Sequence, residues 1–172
     1  MPTAHLPLET ERLRLRPYRE DDLDDLFAIL GDAETMRYYP KPFTREESLA
    51  WIAKNLDRYR RDGFGLWAIE SRDTGEFLGN CGPVRQMVDG WDEVELGWHV
   101  RRSHWRQGIA TEAAATCRDH AFTTLGLDRL ISLIRPENLP SRGVAEKIGM
   151  TVEKRVEWAS LPHLVYTMTR DA

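Results

Sequence analysis

The chain has 172 residues, 41% hydrophobic and 30% charged, with a net charge of −4. That length suits one domain, here 1–172, with a sizeable core, and the mixture excludes collagenous and disordered chains. The acidic balance argues against general affinity for nucleic acid, whose binders are usually basic. It is compatible with a cationic substrate. The longest run without Asp, Glu, Lys or Arg covers twelve residues, 158–169, and contains Pro162. Such a run is too short to cross a membrane. Residues 1–11 show no basic region and no apolar block, so no secretory leader is expected. Cys81 and Cys117 lie in no CxxC pattern and are expected as free thiols of a cytoplasmic protein.

No repeat or low-complexity tract divides the chain. Leu13 and Leu15 alternate with arginines over 12–16, which predicts a strand stopped by Pro17. Leu23, Leu26, Phe27 and Leu30 share helical spacing over 20–30, ended by Gly31. A second helix is expected at about 44–61, with Leu49, Ile52, Ala53, Leu56 and Tyr59 on its apolar stripe. Three strands follow at 64–70, 77–85 and 93–100, the first two joined through Asp73-Thr74-Gly75. A helix over 109–125 carries Ile109, Ala113, Cys117 and Ala121 on one face and stops at Gly126. A short strand at 129–134, a helix at 139–148 closed by Gly149, and strands at 152–159 and 164–169 complete the order. This is an α+β pattern, an antiparallel meander followed by a crossover helix.

The most informative stretch is 95–113. A strand, Glu95-Leu-Gly-Trp-His-Val100, runs into a turn with Arg101, Arg102 and Arg106, and a helix opens at Gly108. The first N–H groups of a helix have no partner inside it, and its N-terminus carries partial positive charge. No Ser, Thr, Asp or Asn directly precedes Gly108 to cap them. The orphan donors are open to an external anion, and glycine lets it come close. A phosphate-bearing ligand fits; a glycine-started helix beside a solvated basic turn fits equally well. Neither GxxxxGK[ST] nor a GxGxxG after a strand is present.

Three blocks resemble one family. Gly108-Ile109-Ala110-Thr111-Glu112-Ala113 after the 95–100 strand is similar to the acetyl-CoA motif of the GNAT (Gcn5-related) N-acetyltransferases. Arg135-Pro136-Glu137-Asn138-Leu139-Pro140-Ser141, leading to Glu146-Lys147-Ile148-Gly149-Met150, resembles the second motif of their ribosomal-protein acetyltransferase-like branch. The opening over 8–16 is similar to that branch as well. Together the blocks span most of the chain. One departure is Trp105, at the first position of a loop usually written Q/R-x-x-G-x-G/A.

The resemblance implies a mixed, mostly antiparallel sheet of about seven strands flanked by about four helices. It implies acetyl-CoA as co-substrate, no metal, and transfer to a primary amine in a ternary complex without an acyl-enzyme. Amides of Arg106, Gln107, Gly108, Ile109, Ala110 and Thr111 would hold the pyrophosphate. Backbone groups of Trp98, His99 and Val100 would pair with the pantetheine arm as an added strand, and Asn138 would contact that arm. This requires the 95–100 strand to splay from the 129–134 strand, with Gly97 as a bulge site. Acceptors in the family include protein N-termini, lysines, polyamines, aminoglycosides and other small amines; dimers are frequent in it, and this chain is expected as a monomer or homodimer.

Amine acetylation needs a neutral nitrogen, and a lysine-like amine has a pKa near 10.4, so a general base should reach it. Glu95 is the candidate base, with a solvent-facing strand carboxylate as its alternative role. Glu93, on the same face, is the reserve. A strand N–H near Trp98 would stabilise the developing oxyanion. Ser141 resembles the serine that follows the motif asparagine and serves the leaving thiolate; a polar first-turn residue is the alternative. Many relatives place a tyrosine where Ala145 stands. Asn138 could also be an N-cap. Cys117 is expected as a core thiol, and His99 with His104 lacks a third ligand for zinc. Asp21, Asp22, Asp24 and Asp25 complement a helix dipole. Trp51 and Trp67 are expected to pack, whereas Trp91, expected in a turn, is the tryptophan placed at a substrate cleft. A non-catalytic acyl-CoA-binding module is the competing function.

Overall fold

The computed structural model describes residues 5–171; residues 1–4, part of the opening stretch read above for a leader, lie outside it. Eight strands form one sheet in the order β1-β2-β3-β4-β5-β6-β8-β7. The count exceeds the expected seven because β1, Leu8–Glu9, is a two-residue strand too short to show alternation; it pairs antiparallel with β2, Leu13–Arg16. In β2, Leu13 and Leu15 are fully buried while Arg14 faces outward, as period-two alternation requires. A single 3₁₀ turn at Glu20–Asp22 leads into α1, Leu23–Leu30.

Helix α2, Arg45–Asp62, begins with a capping box in which Thr44 accepts from the Glu47 N–H, and ends at Gly63 in the left-handed region. Its inward face differs from expectation. Leu49 is 45% exposed, and the buried positions are Ser48, Ile52, Asn55, Arg58 and Tyr59. Asn55 explains part of this: its Oδ1 accepts from the Leu66 N–H at 2.9 Å. Polar residues of the helix also face inward, Lys54 and Arg58 lining a cavity, so hydrophobic periodicity is a poor guide to its orientation.

Strands β3 (Trp67–Ser71), β4 (Phe77–Val88) and β5 (Trp91–Val100) form the meander. The β3–β4 turn lies at Asp73-Thr74-Gly75 as expected. The β4–β5 hairpin extends further than the sequence suggested, turning only at Asp89-Gly90, both with positive φ. Trp91 therefore pairs with Val88 inside the hairpin, and it is 69% exposed.

Helix α3, Ile109–Thr123, crosses back so that β6, Arg129–Ile134, lies parallel to β5. Helix α4, Leu139–Lys147, then leads to β7, Thr151–Trp158, and β8, Leu161–Thr169, which inserts between β6 and β7. Among the described residues no helix is long and apolar enough to cross a membrane.

Candidate active site

Strands β5 and β6 touch at one register pair, Glu95↔Ile131, and separate beyond it. Side chains bridge the seam. Ser132 Oγ donates to the Leu96 carbonyl at 2.7 Å, and the Leu133 N–H donates to Glu95 Oε2 at 3.1 Å. A ladder would have used those backbone groups, so the two side chains satisfy the sheet where it opens. The expected bulge at Gly97 is absent: Gly97 pairs in regular register with Gly82 of β4, so the strands part without a break in the β4–β5 ladder.

The opening forms a cavity of about 320 Å³. Of the residues singled out from the sequence, Glu95, Trp98, His99, Asn138 and Ser141 line it. Trp91 does not, since the hairpin carries it away from the seam; Trp51, expected only to pack, does. Burial pushes the Glu95 carboxyl up from 4.5 to about 7, opposed by its hydrogen bonds from Leu133 and Gln86 and by the charge of Arg58. Arg129 clamps both oxygens of Glu93 at 3.0 and 2.8 Å, and Glu93 does not line the cavity. The His99 ring is held neutral by burial, its pKa lowered to about 4. Its Nδ1 lies 3.2 Å from Asn80 Oδ1. Asn138 Oδ1 accepts from the Ser141 N–H at 3.2 Å, so it caps α4.

The other half of the site is the mouth of α3. Gly108 has φ 76° and no side-chain cap, and Arg106 also lies in the left-handed region at φ 63°. Left-handed residues in such a turn direct successive N–H groups into a concavity suited to an anion. Val100 and Ile109 are buried, Arg106, Gln107 and Gly108 are exposed, and Ala110 and Thr111 are half-buried. Trp105, the departure from the loop pattern, donates from Nε1 to the Val100 carbonyl at 2.8 Å, clasping the turn to the end of β5.

The basic turn is less open than its composition suggested. Arg101 pairs with Asp25 at 2.9 Å and Arg102 with Asp32 at 3.2 Å, so acids from α1 and the residues after it neutralise two of the three arginines. Arg12 supplies positive charge that the local sequence did not reveal. It donates to the Gln107 carbonyl and to Glu112, each at 2.8 Å. An acid in the first turn of α3 would repel an anion, and Arg12 offsets it. His104 pairs with Glu76 rather than facing His99. Cys117 and Cys81 are both buried, and burial drives the Cys117 pKa well up.

An uncapped helix mouth, left-handed loop residues and a seam between parallel strands fit a long ligand with phosphates at one end and an extended arm. Comparison with known proteins agrees. Residues 12–151 match the family model for the acetyltransferase (GNAT) domain. The chain is 37% identical over 164 residues to the uncharacterized protein YkkB of Bacillus subtilis, covering 95% of both. An acetyltransferase structure from Agrobacterium tumefaciens is 30% identical, with a TM-score of 0.83 and coverage of 96% of this chain and 95% of that one. RimJ of Mycobacterium smegmatis, solved in complex with CoA-disulfide, is 26% identical, with a TM-score of 0.73 and coverage of 92% and 82%. The chain belongs to the GNAT acetyltransferase family and is, by that membership, an N-acetyltransferase.

Proposed function

We propose that this enzyme moves the acetyl group of acetyl-CoA directly to a primary amine while both substrates are bound. The observation that carries this reading is the β5–β6 seam, with a carboxylate of raised pKa lining one part of it and an uncapped helix mouth beyond it. Acetyl-CoA supplies an activated thioester and a leaving group that departs readily.

Residues 106–111 would hold the pyrophosphate with backbone N–H groups, and Arg12 neutralises Glu112 beside them. Backbone groups of Trp98, His99 and Val100 on the unpaired edge of β5 would align the arm, with Asn138 across the seam. Glu95, near pH 7 about half ionised, takes the proton that the amine loses as the C–N bond forms. A β5 N–H near Trp98 stabilises the carbonyl oxygen as charge builds there. The C–S bond breaks, and Ser141 gives the departing sulfur its proton, regaining one from solvent. The neutral His99 adds no positive charge to the amine's surroundings.

The test is titration calorimetry with acetyl-CoA, dephospho-CoA and ATP, followed by an amine-dependent thiol-release assay. Micromolar binding of acetyl-CoA with thiol release is expected. Binding without release from any amine would favour a non-catalytic acyl-CoA-binding module, a reading to which Ala145, in the place of the frequent tyrosine, lends weight. Absence of binding at millimolar ligand would refute both.

A further inference from the structure

The charge on the cavity wall bears on which amine enters. Arg58, on α2, lines the cavity and is 5% exposed. Its side-chain hydrogen bond goes to a neutral acceptor, Asn55 Oδ1, at 3.2 Å. The nearby acids of α2 serve elsewhere: Asp57 pairs with Arg60, and Asp62 with Arg61 and Arg85. Glu95 attracts Arg58 through space yet hydrogen-bonds to Leu133 and Gln86 instead. Burial and the neighbouring Arg61 lower the Arg58 pKa, and the more distant charges of Glu95 and Asp62 offset this only in part, neither acid being hydrogen-bonded to the guanidinium. Lys54, one turn earlier at the rim, is lowered for the same two kinds of cause. Arg135, opposite, is already paired with Glu137.

A buried guanidinium without a carboxylate is costly, and it is retained most cheaply where a ligand completes it. Tyr39, Trp51 and Trp98 supply apolar wall around it. We propose that the acceptor is a small amine that also carries a carboxylate, bound by Arg58 with Lys54 at the rim, its amino group toward Glu95. This rests on the acetyl-transfer reading and deepens it. A polyamine would bring a second positive charge against Arg58 and Lys54, which like-charge repulsion disfavours. An amino acid brings no net charge, and its carboxylate complements the Arg58 and Lys54 side of the cavity while its amine faces the Glu95 side.

The experiment compares matched acceptors in the thiol-release assay: phenylalanine with phenylalaninamide, 4-(aminomethyl)benzoate with its amide, and spermidine. In at least one pair the acid should exceed its amide by tenfold or more in kcat/KM, and should exceed spermidine likewise. Arg58→Met should bring that pair within about twofold, while Arg58→Lys keeps the preference. Acetyl-CoA affinity, measured by calorimetry, should be the same in both variants, which shows that the fold and the cofactor half are intact. An amide or spermidine preferred by the parent, a preference untouched by Arg58→Met, or acetyl-CoA binding with transfer to none of these amines would each overturn the acceptor assignment. Failure of the parent to bind acetyl-CoA would instead overturn the reading beneath it.

Discussion

Glu95→Gln separates the proposed base from a merely structural carboxylate, because the raised pKa fixes both the size and the pH window of its effect. With a pKa of about 7, about one-eleventh of Glu95 is ionised at pH 6 and about ten-elevenths at pH 8. The substrate amine also titrates, so the informative quantity is the ratio of parent to variant kcat/KM, in which the amine cancels. That ratio should rise about tenfold from pH 6 to pH 8, with the variant slower by roughly 10²–10⁴ at pH 8. Stability moves oppositely. A carboxyl raised from 4.5 to about 7 gives the folded state more bound protons than the unfolded state between those values. Folding is therefore favoured least once pH exceeds 7, by up to about 3 kcal/mol relative to pH 4, less a discount for partial exposure. Glu95→Gln should raise the Tm by several degrees at pH 8 and leave it unchanged at pH 4. A flat rate ratio would remove Glu95 as the base, and equal Tm shifts at both pH values would refute the burial argument.

Gly108→Val forces a β-branched residue to φ 76°, where a Cβ would meet Arg12 Nη2 at an ordinary 3.5 Å, so the damage comes through backbone conformation. Acetyl-CoA should bind at least tenfold more weakly, about 1.4 kcal/mol; parental affinity in a folded variant would disprove the cradle. Arg12→Met leaves the Glu112 carboxylate uncompensated beside the same mouth, and should weaken acetyl-CoA about fivefold, or about 1 kcal/mol, with calorimetry as the check. Asn55→Ala removes the acceptor of the buried Leu66 N–H and the partner of Arg58. A loss of about 3 kcal/mol is expected, seen as a Tm lower by roughly 10 °C; a shift below about 2 °C would mean that water replaces the amide without penalty.

What was legible in the sequence follows from how local the determining physics is. Leu13 and Leu15 in β2, Asp73-Thr74-Gly75 at its turn and Gly108 before α3 each act over a few residues, and each lies where the pattern put it. Helix α2 had the right length, and Ile52 and Tyr59 of its expected stripe are buried, but its inward residues also include Ser48, Asn55 and Arg58. Hydrophobic periodicity assigns such side chains to solvent, which is why Arg58 went unnoticed. Arg12 was hidden by distance: its carbonyl partner at Gln107 lies 95 residues away. Trp91 was misplaced because the β4–β5 ladder runs to the Asp89-Gly90 turn, and nothing in the alternation marks where a long hairpin turns.

Leu66, between α2 and β3, receives both of its backbone connections from one helix. Its N–H goes to Asn55 and its carbonyl accepts from the Tyr59 hydroxyl, which in turn accepts from the Tyr18 N–H. The face of α2 bearing Trp51, Lys54 and Arg58 is thus tied by two hydrogen bonds to the residue that leads into β3. On the proposed acceptor assignment, discrimination would work by a preset template rather than by a clamp that closes. A change of acceptor would then be reached by exchanging side chains at these three positions, without re-aiming the helix that presents them.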